Sequence, residues 1–315
     1  MSGLHYILPR AQQCTSISQD CPLSKSFYGY APSLAPNVVM LVLFSATLVA
    51  HGVQGTYYRA WGTLTAMGWG CICEILGYVG RLMMHKNPFN LDGFLIQICC
   101  LTIAPAFFSA AIYLCLSRIV LLFGADVSRL SPKMYAYIFI SCDIISLALQ
   151  GAGGGLASIA AQNNTPLGTG DNVQLAGLAF QVGSLALFGL CAAEYAWRVH
   201  RDPTALARAR EIFSYNKSLN LCFAALGLSY TAIMTRCIYR VIELSSGWGS
   251  TLMKEQTDFV ALEGAMIVVA VVALNSFYPG KYLNRAIDPS FEQKSTGSSE
   301  HSEKGSEGVT PEHMF

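Results

Sequence analysis

Seven stretches of this chain are long and apolar enough to cross a lipid bilayer, and nothing else in it constrains the fold as strongly. They cover residues 35–55, 62–84, 95–123, 135–160, 173–197, 219–242 and 259–277. A hydrocarbon core of roughly 30 Å takes about 20 residues at a rise of about 1.5 Å each. Only a helix satisfies its own backbone hydrogen bonds within one such segment. The expected fold is therefore all-α, a polytopic bundle of seven transmembrane helices over residues 34–280. An extracellular amino-terminal tail (1–33) precedes it, and a disordered cytosolic tail rich in Ser, Gly, Glu and Lys (281–315) follows. Charged residues make up 12% of the 315, about half the share of a soluble domain. The net charge of +1 gives a nucleic-acid partner no footing.

Lysine and arginine in the short connections set the orientation. Twelve fall on one side: Arg59, Arg129, Lys133, Arg198, Arg201, Arg208, Arg210, Lys217, Lys281, Arg285, Lys294 and Lys304. Four fall on the other: Arg10, Lys25, Lys86 and Lys254. The expectation is an outside amino terminus and a cytosolic carboxyl terminus. No apolar run precedes a small-residue cleavage site in the first thirty residues, so the first span is expected to act as the insertion signal. The sequon Asn163-Asn164-Thr165 then lies outside, making Asn163 the usable glycan acceptor, while the sequon at Asn216 faces the cytosol. Of 11 cysteines, nine are scattered through the spans as small hydrophobes without metal-ligand spacing. Cys14 and Cys21 share the external tail, where a disulfide would persist.

Polar groups tolerated inside the spans are the candidate functional residues, because a charge at mid-bilayer costs at least about 2.5 kcal/mol unless paired or hydrated. Glu74, Tyr78 and Arg81 share one face of the second span at i, i+4 and i+7, and Tyr113 and Arg118 lie in the third. Asp143, Ser146 and Gln150 form a stripe in the fourth, ahead of the run Gly151-Ala152-Gly153-Gly154-Gly155. Gln174, Gly177, Gln181 and Ser184 form one in the fifth, Arg236, Arg240 and Glu243 one in the sixth, and Glu263 lies in the seventh. Two readings stand for the acid–base sets: interhelical ion pairs or contacts to substrate. The glycine run reads as close packing or a kink. Asp143 has no basic neighbour on its own helix, which points to a cavity. Helical phase predicts that Asp143, Gln150 and Glu74 converge on it with Tyr113 beside them, and Pro105 should bend the third span and open it.

Several classes find no support. There is no G-x-x-x-x-G-K-[ST] for an ATP-driven pump, and no H-E-x-x-H or G-x-S-x-G for a membrane hydrolase. The seventh span lacks the lysine that a retinal Schiff base requires. No catalytic residue, metal or cofactor is expected.

The order of short motifs resembles that of a known family. Glu74-x-x-Gly77-Tyr78-x-x-Arg81 is followed by Ala104-Pro105-x-x-x-x-Ala110, Tyr113 with Arg118, and Asp143 with Gln150 and the glycine run. Then come Gly177-Leu178-x-x-Gln181, Arg236-x-x-Tyr239-Arg240-x-x-Glu243, Glu255 with Phe259, and Pro279-Gly280. From Pro32 to Gly280 this resembles the fungal lipid-translocating exporters, the RTA-like or aminocholesterol-resistance family. Two departures are Glu263, where the resemblance leads one to expect aspartate, and Phe259, where it often has tyrosine. The resemblance implies a non-enzymatic multi-pass protein of the plasma membrane or an endomembrane. It implies export or flipping of sphingoid long-chain bases, resistance to toxic amphiphiles and, in one branch, porphyrin or haem movement. Its partner would be a membrane lipid or amphiphilic small molecule. The competing class is a seven-helix lipid sensor or regulator of lipid asymmetry, with cytosolic partners at the 198–217 loop and the carboxyl-terminal tail.

Overall fold

A computed structural model describes residues 19, 21–26, 28–162, 168–215, 217–246 and 256–287. Among these there is no strand. The helices are α1 (Leu34–Tyr57), α2 (Trp61–Lys86), α3 (Leu91–Phe123), α4 (Pro132–Gln162), α5 (Gly168–Arg201), α6 (Pro203–Tyr215), α7 (Lys217–Ser245), α8 (residues 256–276) and α9 (Pro279–Ile287). Six helical stretches are long and apolar enough to span a membrane, so the chain is a multi-pass membrane protein. α2 is not among the six: its 26 residues include Glu74, Arg81, His85 and Lys86. The first two of these are buried inside the bundle, at 1% and 0% exposure.

α1 packs on α2 and α8, α2 on α3, α3 on α4, α4 on α5, α5 on α7, and α7 on α8, which closes a ring. α3 lies deepest: 67% of its apolar window is buried, against 28–44% in the other five. Small residues set how close it comes to α2. A Cβ on Gly80 would stand 2.6 Å from the Gly93 carbonyl oxygen, and one on Gly77 2.5 Å from the Leu101 side chain. In lipid no hydrophobic force draws helices together, so such close backbone approach is what holds them. The glycine run of α4 does less than its length suggests. A Cβ on Gly153 would abut the backbone of Gln174 on α5, whereas one on Gly151, Gly154 or Gly155 would meet nothing within 4 Å. α4 continues through the run without interruption.

α6 forms within the 198–217 connection. Asp202 caps it, accepting from the backbone N–H of Thr204 (2.8 Å) and Ala205 (3.0 Å) and from the Thr204 hydroxyl (2.5 Å). These bonds, the Thr204 hydroxyl foremost, hold the Asp202 carboxyl below its usual pKa. Ala205 and Ala209 turn inward, and Arg208 donates to the Phe123 carbonyl (3.0 Å) where α3 ends at Gly124, whose φ of 129° suits glycine.

Two boundaries differ from expectation. Residues 281–287 belong to α9, because Tyr278 and Leu283 bury against the bundle. At the other end, Tyr28 and Tyr30 are part of the fold rather than of a free tail. Tyr28 joins Met84, Phe89, Phe94 and Ile98 in a second apolar cluster, and Gln97 donates to its hydroxyl at 2.7 Å. Cys21 is disulfide-bonded and the other nine described cysteines are free, while Cys14 lies outside the described residues.

Candidate functional site

The polar side chains of the spans gather into three groups. The first joins α2, α7 and α8. α8 contains a π-helical stretch, Phe259–Ala265, which carries Glu263. Arg236 of α7 bonds to Glu263 at 2.7 Å, with the two side chains 1% and 2% exposed. Arg240 pairs with Glu243 one turn on, and its Nε stands 3.7 Å from Glu263. Glu74 is buried with Arg236 and Glu263 as its nearest charges. Tyr78 stacks on Phe44 (5.8 Å) and presses its hydroxyl toward Gly264. Arg81 does not pair with Glu74, although the two share a helix face. Its Nε donates to Asn37 at 2.9 Å, Nη2 reaches the Tyr30 hydroxyl at 3.4 Å, and its guanidinium lies 3.8 Å from the Phe259 ring centroid. Arg81 and Arg240 are thus buried, at 0% and 7% exposure, and neither snorkels to a surface.

One partner of Arg236 has its origin in Pro105. Proline has no N–H, so within α3 the carbonyl of Leu101 loses its i+4 donor. The Arg236 guanidinium donates to that oxygen. This group reads as structural: Arg236 and Arg240 each pair with an acid and Arg81 bonds to Asn37 and Tyr30, while Arg81 Nη1 and Glu74 Oε1 find no hydrogen-bond partner among the described residues.

The second group is a polar seam between α4 and α5. The Gln150 amide donates to Ser146 (2.6 Å) and to the Gln181 side-chain oxygen (3.0 Å), while the Ser146 hydroxyl donates to the Gly177 carbonyl (2.7 Å).

The third group is Asp143 with Tyr113. Asp143 is 3% exposed, and it takes part in no ion pair among the described residues. The hydroxyls of Tyr113 and Ser184 stand nearest its carboxyl, yet neither carboxyl oxygen closes a hydrogen bond in good geometry. The Ser184 hydroxyl is committed to the Gln181 carbonyl at 2.9 Å, and the Tyr113 hydroxyl is itself unpartnered. Cys237 of α7, next to Arg236 in the chain, is buried. Arg118 of α3 is half-buried.

The single cavity expected for Asp143, Gln150 and Glu74 is therefore divided. Gln150 turns to α5, Glu74 turns to α7 and α8, and Asp143 alone stays with Tyr113. Helical phase gives which residues share a face but not which neighbour that face meets. Asn163 and Glu255 lie outside the described residues.

The structure adds a feature that the sequence reading missed. A cavity of about 460 Å³ lies between α3, α5, α6 and α7. Its walls are apolar, from Ile112 and Phe188 at one end to Leu206, Ala209 and Phe213 of α6 at the other. None of the candidate residues named from sequence lines it. Its tyrosine hydroxyls are spoken for: Tyr195 bonds to the Gly124 carbonyl (3.2 Å) and Tyr230 to the Leu185 carbonyl (3.1 Å). Gly189, Ala192 and Ala196 recur along α5 opposite Phe123, Phe213 and Phe223, and that pattern of missing side chains was its signal in the sequence. Phe188 connects the cavity to the third group, since its ring packs on Tyr113 with centroids 4.5 Å apart. Among the described residues no cluster of three or more His, Cys, Asp or Glu side chains is placed to hold a metal ion.

Comparison with known proteins gives this arrangement a lineage. The chain is 34% identical over 285 residues to the sphingoid long-chain base transporter RSB1 of Saccharomyces cerevisiae, covering 82% of this chain and 74% of that one. It is 26% identical to protoporphyrin uptake protein 1 (83% and 93% covered) and 24% identical to protein RTA1 (80% and 84% covered), both from the same yeast. No solved structure matches it. Residues 67–286 match the family described as RTA1 like protein, and the chain belongs to that family.

Proposed function

We propose that this protein is a transporter of amphiphilic lipids that moves a sphingoid long-chain base, or a related cationic amphiphile, across the membrane. The observation that carries the reading is Asp143, a buried acid that no cation pairs with among the described residues. A carboxylate left unpaired in a low-dielectric interior costs several kcal/mol, and an arriving ammonium group recovers that cost where it leaves water. The name of the 34% identical relative points to the same substrate class.

In this reading α2 is a seventh span, since its charges are internal to the bundle. The amino terminus lies outside, the carboxyl terminus lies in the cytosol, and the membrane is the plasma membrane. The matching protoporphyrin uptake protein favours porphyrin as the second substrate class.

The test is reconstitution. Liposomes holding the parent protein should translocate a fluorescent long-chain base faster than empty liposomes, and Asp143→Asn should lower that gain about tenfold or more. Equal rates with and without the parent protein would end the transport reading. A fully active Asn variant would remove Asp143 from it.

A further inference from the structure

We propose that the cavity among α3, α5, α6 and α7 is the site that holds the alkyl tail of the transported amphiphile. The inference rests on the transport reading above and places the tail of its substrate.

Shape comes first. On α3 the cavity wall runs from Ile112 to Phe123, and on α5 from Phe188 to His200. Eleven and twelve residues at about 1.5 Å each make it roughly 16–18 Å long, parallel to the helices. With a volume of about 460 Å³ it is a slot that accommodates an extended hydrocarbon chain.

Chemistry comes second. The walls offer no carboxylate, lysine or arginine, and the hydroxyls of Tyr195 and Tyr230 are occupied by backbone carbonyls. The one other polar side chain that lines it is His200. Its volume is within the roughly 300–1,000 Å³ of small-molecule sites.

Charge decides which way the occupant points. Ile112 is the neighbour of Tyr113 in sequence, and Phe188 packs on the Tyr113 ring at 4.5 Å. Behind that aromatic pair stands Asp143, nine-tenths buried and without a hydrogen-bond partner. A single-chain ammonium amphiphile complements both: its amine reaches Asp143 when Phe188 turns aside, and its chain extends toward α6. The entrance is lateral. Ala196 of α5 and Gly227 of α7 both line the slot and are exposed, so a chain can slide in from the bilayer without its tail meeting water.

The experiment is photolabelling of the full chain in nanodiscs. The probe is a long-chain base bearing a diazirine next to the chain terminus. After irradiation, label should be found by mass spectrometry on slot residues of α5 and α6. An excess of unlabelled single-chain amine should remove it, and a two-chain phospholipid should not. Gly227→Leu should cut the labelling about fivefold or more. A Cβ at 227 meets nothing within 4 Å, so that variant has room to fold. Label confined to the outer, lipid-facing surface, or slot label displaced equally by the phospholipid, overturns the proposal whatever the variant does. The two readings fail separately. If the parent protein transports the base but the slot stays unlabelled, only the tail site falls. If the slot is labelled but Asp143→Asn transports normally, only the role of the acid falls.

Discussion

Arg236 donates to the carbonyl of Leu101, the oxygen that Pro105 strips of its helical donor in α3. A proline in one helix is thus matched by an arginine in another, and the same guanidinium holds Glu263 at 2.7 Å.

Removing either partner of that pair should be costly. Arg236→Met leaves Glu263 buried with its closest cation gone and the Leu101 carbonyl unsatisfied, so unfolding in detergent should be destabilised by about 3–5 kcal/mol. Arg236→Met with Glu263→Gln should recover part of the loss. Pro105→Ala restores an N–H for Leu101, and Arg236→Met should then cost less than it does in the parent. Equal costs in the two backgrounds would mean that the arginine does not serve that carbonyl.

The glycines of the close helix contacts should differ from those with open space for a Cβ. Gly80→Ala drives a methyl against the Gly93 backbone and should destabilise by about 1–3 kcal/mol. Gly154→Ala has open space and should be neutral or stabilising by up to about 1 kcal/mol. A thermal melt that ranks them the other way would mean that α2 and α3 are not packed this closely.

The seam of α4 and α5 should prove separable from transport. Gln150→Ala leaves Gln181 without its buried partner and should cost about 1–3 kcal/mol of stability. At equal surface expression, translocation of the long-chain base should fall less than threefold. A loss as large as that of Asp143→Asn would place Gln150 in the pathway.

Topology has its own test. Tags at the first residue and after Ser290 should report opposite sides in protease protection, and Asn163→Gln should abolish any glycosidase-sensitive mobility shift. A shift that survives it but is lost with Asn216→Gln would invert the orientation.

The extent of each helix was legible because length and apolarity are properties of a single segment. The expected spans end within five residues of the helices observed. What the sequence left out concerns pairs of segments. Glu74 and Arg81 share a face, yet Arg81 went to Asn37 and Phe259, because α1 and α8 supply partners that no spacing within α2 can reveal. Asp143 stood out for a reason that survives folding: it has no basic neighbour on its helix, and among the described residues none pairs with it. The cavity left only a faint trace, the small residues Ala192, Ala196 and Gly227 that line it. α6 was hidden by its charges, which mark a connection and also a surface helix.

The tyrosines ahead of α1 bear on how this chain can be handled. Tyr30 helps to satisfy Arg81, Tyr28 receives Gln97, and the Pro32 carbonyl lies 2.7 Å from the His85 ring. A version trimmed to begin at α1 would remove a lid from a buried arginine rather than discard a loose end. Trimming should stop short of Cys21, and any fused reporter belongs at the far tip of the chain.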